Sequence, residues 1–296
     1  MPDEKIRDNI YNRAVNRALN GGISGSIAMG FQVGSMMWLR TTLNYQYKNG
    51  TKFIPTIKTL YSQGGVPRFY RGLGPALLQA PLSRFGDTAS NMGMMYYLDN
   101  NPSTSNMPTS IKTFCGSVTA GLWRINLMPI DTCKTMNQVH GKKGYHIIKD
   151  KIKVGGIRTL YHGSLGACGT TIIGHFPWFY TYNTLSKLLP EIEKTGKQDD
   201  NSKYVLKKMG RYASIGFCSS LVSDTCSNST KVIKISKQTA KDSNTSYSQI
   251  IKNIIQKQGF KELFGRGLKT KIMINGIQGI LFTIVWKSLE EMLNTK

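Results

Sequence analysis

The sequence is short of acidic residues and has no long apolar run. Its 296 residues include 39 Lys and Arg but only 16 Asp and Glu, which gives a net charge of +23. Such an excess suits an anionic partner, such as nucleic acid, an anionic lipid or an acidic solute. Because no run of 18 or more apolar residues occurs, hydropathy alone favours a soluble protein.

The sequence also lacks the patterns of a metal site or a catalytic centre. Its five cysteines form no CxxC pair, and its four histidines are scattered. We interpret the cysteines as small apolar side chains rather than ligands or disulfides. Without a nucleophile–base pair, the sequence predicts neither an enzyme nor a cofactor. The first residues, MPDEKIRDN, mix acids with bases and are typical of neither a signal peptide nor a transit peptide.

Three segments of the chain share one frame. They are MWLRTTLNYQ (37–46), PIDTCKTMNQ (129–138) and STKVIKISKQ (229–238), and each closes a Gly- or Ser-rich helical stretch. An amphipathic basic segment follows each one, and then a second signature: YRGLGPALLQ, YHGSLGACGT or GRGLKTKIMI. A unit of helix, short surface helix and helix therefore recurs at a period of about 90–100 residues. This pattern predicts six long helices in one domain over residues 1–296, with repeats at about 10–100, 101–200 and 201–296.

The placement of charge favours a membrane protein. The connections inside the repeats are rich in Lys and Arg, whereas LDNNPSTSNMP and PEIEKTGKQDDNSK, which join the repeats, are neutral to acidic. This alternation fits the positive-inside rule. Helices that line a polar cavity need only one lipid-facing stripe, so the lack of long apolar runs does not exclude a membrane. A nucleic-acid binder would be expected to show a reader motif or an arginine–aromatic groove, and the sequence has neither.

Two motifs carry a resemblance to a known family. Pro129, Asp131 and Lys134 match P-x-[DE]-x-x-[KR], and Tyr70-Arg71-Gly72 matches [YFW]-[RK]-G. Over residues 10–293 the sequence resembles the mitochondrial carrier family. The resemblance implies an all-α membrane fold: six transmembrane helices in a pseudo-threefold arrangement with three short matrix helices. It also implies a multi-pass protein of the mitochondrial inner membrane with both termini toward the intermembrane space.

The resemblance further implies a gate. In the family, the acid of one repeat pairs with the base of the next, and three such ion pairs form a ring. The other two copies depart from the motif, with Met37, Leu39 and Thr42 in the first repeat and Ser229, Lys231 and Lys234 in the third. By position, Asp131 is predicted to pair with Lys234, while Lys134 and Lys231 are left without an acidic partner.

A second ring, on the opposite side of the membrane, is expected from the even helices. Its positions read Asn91-Met92 with Met95, Tyr182-Asn183 with Ser186, and Trp286-Lys287 with Glu290. The first two sets are uncharged and the third is reversed in charge. Lys287 and Glu290 are predicted to pair within their own helix.

The resemblance also implies substrate contacts seven residues past the glycines that open the even helices. These positions are uncharged: Gln79, Thr170 with Thr171, and Ile274. Arg84, Arg124 and His175 are the charged or titratable candidates near them, and two arginines in a cavity could hold an anion. Pairing of Arg84 with Asp87 inside one helix is the open alternative, and His175 is more typical of core packing than of a ligand contact.

Cardiolipin is the bound lipid that the resemblance implies. Its phosphates would lie on free amides at helix starts, where glycine and the helix dipole favour anions. The residues at these positions are Arg71, Gly72, His162, Gly163, Arg266 and Gly267. The same glycines could serve only to let the chain turn, and the two roles are compatible.

Two functional interpretations remain. The broken gate motifs favour a carrier-fold protein that no longer transports and serves as an accessory or structural subunit of a larger inner-membrane complex. The arginines and the basic loops favour the alternative, an atypical carrier of a small anionic or neutral metabolite. A role in binding nucleic acid is not expected.

Overall fold

The computed structural model describes residues 32–190, 201–240 and 245–278, and within these ranges the chain forms helices and no strand. This finding confirms the all-helical part of the predicted fold. In chain order the helices are α1 (32–49), α2 (Phe53–Ser62), α3 (Gly65–Phe69), α4 (Leu73–Asn100), α5 (Thr109–Asn126), α6 (Met128–His140), α7 (Lys143–Gly155), α8 (Ser164–Leu188), α9 (Asn201–Gln238), α10 (Tyr247–Gln258), α11 (Phe260–Gly265) and α12 (268–278). A 3₁₀ turn, Ile157–Tyr161, precedes α8.

The same order of elements occurs three times. A long helix leads to a short helix, then to a short turn of helix, and then to a further helix, which is long in the first two copies and is described only over residues 268–278 in the third. We call α1–α4 repeat 1, α5–α8 repeat 2 and α9–α12 repeat 3. In repeat 2 the first long helix consists of α5 and α6.

The break between α5 and α6 has a local cause. α5 ends at Asn126, Leu127 lies between the helices, and Pro129 stands in the first turn of α6. Proline has no amide hydrogen and its ring clashes with the preceding turn, so it interrupts a helix. Repeat 3 has Ser229 at the equivalent position, and α9 runs through it as one helix of 38 residues. The first long helix is thus broken in repeat 2 and continuous in repeat 3.

The short helices α2, α7 and α10 lie where the amphipathic segments predict them. In α10, Ile250 and Ile254 are buried on one face while the other face is polar. The helix begins with a capping box, in which Ser246 Oγ accepts from the Gln249 amide and the Gln249 side chain accepts from the Ser246 amide. This arrangement satisfies two amides that a helix start leaves without partners.

Each repeat approaches the next one closely at a glycine. Gly72, Gly163 and Gly267 precede α4, α8 and α12 with φ of +85°, +97° and +68°, in the left-handed region. A Cβ atom on these glycines would lie 2.8 Å from Lys134 O, 3.0 Å from Gln238 Cγ and 2.8 Å from Leu43 Cδ1, respectively. These contacts run from repeat 1 to 2, from 2 to 3 and from 3 to 1, so the repeats close on one another. The glycines serve both the turn and the close approach.

The main apolar core lies between repeats 1 and 3. It joins side chains of α1, the end of α9, α10, α11 and α12, among them Leu39, Leu43, Val232, Ile235 and Ile274. A smaller cluster packs α1 against α4 within repeat 1. None of the helices within the described ranges has both the length and the apolar character that crossing a membrane requires.

Candidate functional site

Asp131 is the centre of the first polar group inside the fold. The start of α6 at Met128 places Asp131 in the first helical turn, where its carboxylate is only 7% exposed. Its two oxygens lie 2.6 Å from Lys134 Nζ and 2.7 Å from Lys234 Nζ, and it also accepts from Gln238 Nε2 at 3.0 Å. The Asp131 group therefore links α6 of repeat 2 to α9 of repeat 3.

The Asp131 group extends to repeat 1 through Gln79. Lys134 Nζ donates to Gln79 Oε1 at 3.0 Å, and Gln79 lies on α4. Two lysines thus share one carboxylate, and one of them is also held by a neutral amide. The sequence-based expectation that Lys134 lacks an acidic partner is wrong, because its own helix brings Asp131 within reach at a spacing of three residues.

A second polar group forms around Asp224 in repeat 3. Its carboxylate lies 2.5 Å from Lys231 Nζ, 2.5 Å from Asn275 Nδ2 and 3.8 Å from Lys271 Nζ. Lys231, which was also expected to be unpaired, therefore has an acid on its own helix. The spacing of seven residues between Asp224 and Lys231 is two helical turns and could have indicated this pair. The Asp224 group holds α9 against α12 inside one repeat.

Arg40 acts electrostatically on both of these groups. It is a half-buried residue of α1, and its positive charge acts on both Lys134 and Lys271. Within the part of the chain that the structure describes, its guanidinium has no hydrogen-bond or ion-pair partner. Sequence reasoning missed Arg40 because it stands beside, and not on, the gate positions of the first repeat.

Repeat 1 makes an apolar contact where the family motif has an acid. Leu39 is 1% exposed and packs in the main core, together with Ile274 of α12. Thr42, at the position of the base, donates its hydroxyl to Trp38 O within α1. Contact between repeats 1 and 3 at this level is therefore made by packed side chains, not by the missing pair.

The predicted substrate-contact positions differ in what they offer. Thr170 and Thr171 donate their hydroxyl hydrogens to carbonyls of their own helix, at 2.6 Å and 3.0 Å. Gln79 is 8% exposed and already holds Lys134, and Ile274 is 2% exposed within the core. Their role as substrate contacts stays a prediction.

A third polar group joins α4, α5 and α8. Arg124 donates to Asp87 at 2.6 Å across the α4–α5 contact, which replaces the pairing of Asp87 with Arg84 considered from the sequence. His175 of α8 interacts electrostatically with Asp87, Arg124 and Arg84, and its ring lies edge-on to Phe179. One oxygen of Asp87 and the Nε atom of Arg124 are buried without a hydrogen-bond partner. Arg84 is exposed.

The positions proposed for lipid divide into two kinds. Arg71 lines a cavity of about 780 Å³ between α3 and the start of α7, together with Arg68, His140, Lys142 and Lys143. The guanidinium of Arg266, by contrast, is committed to the protein: it donates to Tyr47 O, to Lys48 O and to the Gln258 side chain. Arg266 is therefore placed to cap the end of α1.

His162 lies in the turn before α8, next to Gly163. Its burial, with the nearby charges of Lys237 and Lys151, lowers the pKa of the imidazole below its usual value. The neutral form is therefore favoured near neutral pH, and an anion bound here would favour the charged form.

Most of the second ring expected from the even helices cannot be compared with the structure. The pair formed by Lys287 and Glu290 lies outside the described residues, as do the side chains of Met92 and Asn183.

Comparison with known proteins gives three similarities. The sequence profile of the mitochondrial carrier protein family matches residues 105–193 and 206–296. The mitochondrial adenyl nucleotide antiporter SLC25A24 of Mus musculus is 36% identical over 83 residues, which are 26% of this chain and 17% of that protein. The calcium-dependent mitochondrial ATP-magnesium/phosphate carrier protein 2 of Arabidopsis thaliana is 23% identical over 265 residues, or 85% of this chain and 52% of that protein.

The alignments thus cover about half, or less, of the length of these curated relatives. The family profile, however, matches more than half of this chain and covers both repeats that retain the charged gate positions. The two matched segments are related to each other as the sequence repeats predict. The chain therefore belongs to the mitochondrial carrier protein family.

Proposed function

We propose that this protein transports an anionic metabolite across the mitochondrial inner membrane. One observation carries the proposal. Four lysines surround the two carboxylates of Asp131 and Asp224, namely Lys134, Lys231, Lys234 and Lys271, and the charge of Arg40 acts on both groups. Among the described residues, Asp131 and Asp224 are the acids that pair with these lysines, so five positive charges against two negative charges leave an excess of three.

An excess of positive charge in a partly desolvated interior is unfavourable in free energy, and a bound anion offsets this unfavourable term.

The names of the relatives also support an anionic cargo. Their names assign them adenyl nucleotides in one case and ATP-magnesium with phosphate in the other. Both cargoes are anionic, so the transport interpretation has more support than the accessory-subunit interpretation that the broken motifs favoured.

The membrane arrangement is part of the proposal. Family membership and the basic connections inside each repeat support six spans, a matrix location for α2, α7 and α10, and termini toward the intermembrane space. The gate is proposed at the Asp131 group, where repeats 2 and 3 are joined by an ion pair. Repeat 1 closes on repeat 3 through Leu39 and the apolar core.

Cardiolipin is proposed for the cavity beside Arg71. Lys142 and Lys143 also line this cavity, whereas the guanidinium of Arg68, at its wall, already donates to Gln63 and to the carbonyls of Gln138 and Val139. Helix α7 begins there without a side-chain cap. Phosphate groups suit such a helix start. Next to Gly163, His162 offers a smaller positive contribution because its neutral form is favoured.

A second candidate function is an accessory subunit of a larger inner-membrane complex. The specific observation in its favour is the apolar packing of Leu39, because an apolar side chain at the acid position of the repeat 1 motif cannot form a gate ion pair. Native purification in mild detergent separates the candidates. Migration only within a large assembly, together with no transport by the isolated chain, would favour the accessory role.

Transport is tested by reconstitution into liposomes that contain cardiolipin. Uptake of labelled adenine nucleotides, inorganic phosphate, dicarboxylates and neutral amino acids is compared, with the Arabidopsis relative as the positive control. We expect saturable uptake of an anion and none of the neutral solutes. Lys234→Gln should reduce that uptake, whereas Lys58→Gln, on the exposed side of α2, should not. Absence of anion uptake under conditions in which the relative is active would refute the proposal.

A further inference from the structure

A small cavity lies between α5 and α8, the outer helices of repeat 2. Its volume is about 170 Å³. Ser110 and Lys187, both in its lining, stand in the first turn of α5 and the last turn of α8. Because α8 begins next to the short helices and runs 25 residues away from them, the cavity lies at the end of the fold opposite to α2, α7 and α10.

The lining of this cavity changes from apolar to polar toward the end of α8. The aromatic rings of Phe176, Phe179 and Tyr180 come first along the helix, and Thr184 and Lys187 follow. Phe176 and Lys187 are 11 residues apart, which corresponds to about 16 Å along the helix axis. The cavity therefore has an aromatic inner part and a mouth that carries hydroxyl groups and an ammonium group.

The aromatic part of the cavity is on the side of α8 that points away from repeat 3. Trp178 faces α9, where its indole Nε1 donates to Ser220 Oγ at 3.3 Å. Phe176 and Tyr180 each lie two residues from Trp178, a rotation of about 200° at 3.6 residues per turn, so they point to the opposite side of α8. Their rings stack with centroids 6.3 Å apart, and both are exposed. In the membrane arrangement that we propose, such a surface lies against lipid.

The size and the charge of the cavity restrict what can bind there. An apolar cavity of about 150 Å³ holds one benzene molecule, so this cavity accommodates a segment of about six carbons of one acyl chain. At the mouth, no acid pairs with Lys187 among the residues that the structure describes. A lysine at a membrane surface attracts the headgroup of an anionic lipid. Both properties together match an amphiphile with an apolar chain and a negatively charged head.

We propose that this cavity binds an anionic phospholipid of the leaflet on the side opposite to the short helices. One acyl chain packs against the three aromatic rings, and the headgroup phosphate accepts hydrogen bonds from Lys187 and from the hydroxyls of Ser110 and Thr184. The site is distinct from the cavity beside Arg71, which lies at the start of α7. The bound lipid would hold α5 against α8, whichever solute the protein carries.

The test counts bound lipids by native mass spectrometry. The full chain is purified in mild detergent, freed of lipid, and titrated with phosphatidylglycerol or with phosphatidylcholine that has the same acyl chains. Only the first lipid has a net negative charge, so we expect it to bind more tightly. Equal binding of the two lipids would overturn the assignment to an anionic headgroup. If oleate binds in a Lys187-dependent manner and phosphatidylglycerol does not, the occupant is a fatty acid and the assignment to a phospholipid is wrong.

Variants locate the bound lipid. Lys187→Gln should weaken the affinity for one phosphatidylglycerol roughly fivefold, the size expected for one lysine at an anionic surface, and Lys187→Arg should retain it. Thr184→Phe keeps the charge but fills the cavity, so it should also weaken binding. Thr184 and Lys187 are exposed, so these substitutions should change stability little.

Two control variants complete the experiment. Lys207→Gln removes the same charge from an exposed position near the start of α9, outside the cavity, and should leave the affinity unchanged. An equal effect of Lys187→Gln and Lys207→Gln, or no effect of Thr184→Phe, would overturn the proposal. Sensitivity to Lys143→Gln instead would place the lipid beside Arg71 and would also overturn it. Transport is measured separately in liposomes, so failure of this site leaves the proposed function intact.

Discussion

Replacement of Asp131 with asparagine tests the central ion-pair group most directly. The substitution keeps the size of the side chain and one oxygen acceptor, but it removes the carboxylate that, among the described residues, pairs with both Lys134 and Lys234. The carboxylate is 7% exposed and the two lysines are 18% and 19% exposed, so water screens the loss incompletely. Removing one partner of a buried pair costs about 3–5 kcal/mol, because the remaining charge is left uncompensated.

We therefore expect Asp131→Asn to lower the free energy of unfolding by about 3 kcal/mol, toward the lower end of that range because the lysines are partly exposed. For a chain of this length, such a loss corresponds to a decrease of roughly 5–6 °C in the unfolding temperature. Thermal unfolding in mild detergent at fixed pH measures it. Lys234→Met, alone and combined with Asp131→Asn, completes a double-mutant cycle that isolates the pair.

Asp99→Asn is the matched control for this experiment. Asp99 also pairs with a lysine, Lys112, but its carboxylate is 52% exposed. Water reaches this carboxylate, and Lys112, which is itself only 7% exposed, keeps its hydrogen bond to Ser105 O at 2.8 Å. The control should therefore lower the unfolding temperature by less than Asp131→Asn does. A loss at Asp131 no larger than that at Asp99, or a coupling energy near zero in the cycle, would refute the view that the Asp131 group joins repeats 2 and 3.

Three further changes address the other polar groups and the packing. Asp224→Asn should lower the unfolding temperature because two lysines lose their carboxylate, and thermal unfolding in mild detergent measures it. The pKa of His162 is lower in the folded chain than in the unfolded chain, so on acidification the unfolded chain binds a proton first. The free energy of unfolding should therefore decrease as the pH drops below about 6.5. The substitution His162→Gln should make this decrease smaller. Gly86→Ala should cost about 1–3 kcal/mol in unfolding free energy, because its Cβ would lie 1.9 Å from the Trp123 ring.

Each of these changes has a control within the chain. For His162 it is His146→Gln on the exposed face of α7, and an equal effect of both substitutions on the pH profile would contradict the assignment. For Gly86 it is Gly93→Ala in the same helix, where no atom lies within 4 Å of the added Cβ. Alanine should stabilise α4 at Gly93 by up to about 1 kcal/mol. For Asp224 it is Asp99→Asn, and a decrease at Asp224 no larger than that of the control would contradict the pairing with Lys231 and Lys271.

The sequence was sufficient for the elements that depend on local patterns. Pro129 accounts for the break at Leu127, because a proline interrupts a helix through its own missing amide hydrogen and ring. Ile250 and Ile254, four residues apart, predicted an amphipathic helix, and α10 buries both. Pro129 with Asp131 and Lys134 also pointed to the family to which the chain belongs.

The partners of the charged side chains were harder to predict. An alignment of the repeats compares only equivalent positions, and at those positions it found no acidic partner for Lys231. The partner, Asp224, is not at one of the aligned motif positions but two turns away on the same helix. Arg124 reaches Asp87 across two helices, which a comparison of residues within one helix cannot reveal. The placement of Ile274 in the core follows from contacts with Leu39 on another repeat, and no local pattern specifies such a contact.

The uninterrupted helix α9 is long compared with the thickness of a membrane. At 1.5 Å per residue, its 38 residues span about 57 Å, which exceeds the ~30 Å hydrocarbon layer and even the ~45 Å thickness that includes the headgroups. In the membrane arrangement that we propose, α9 must therefore extend into water even when tilted. Asp224 and Lys234 are ten residues apart along it, so their backbone positions differ by about 15 Å along the helix axis. One continuous helix therefore carries residues of both ionic groups at depths that differ by up to about half of the hydrocarbon layer.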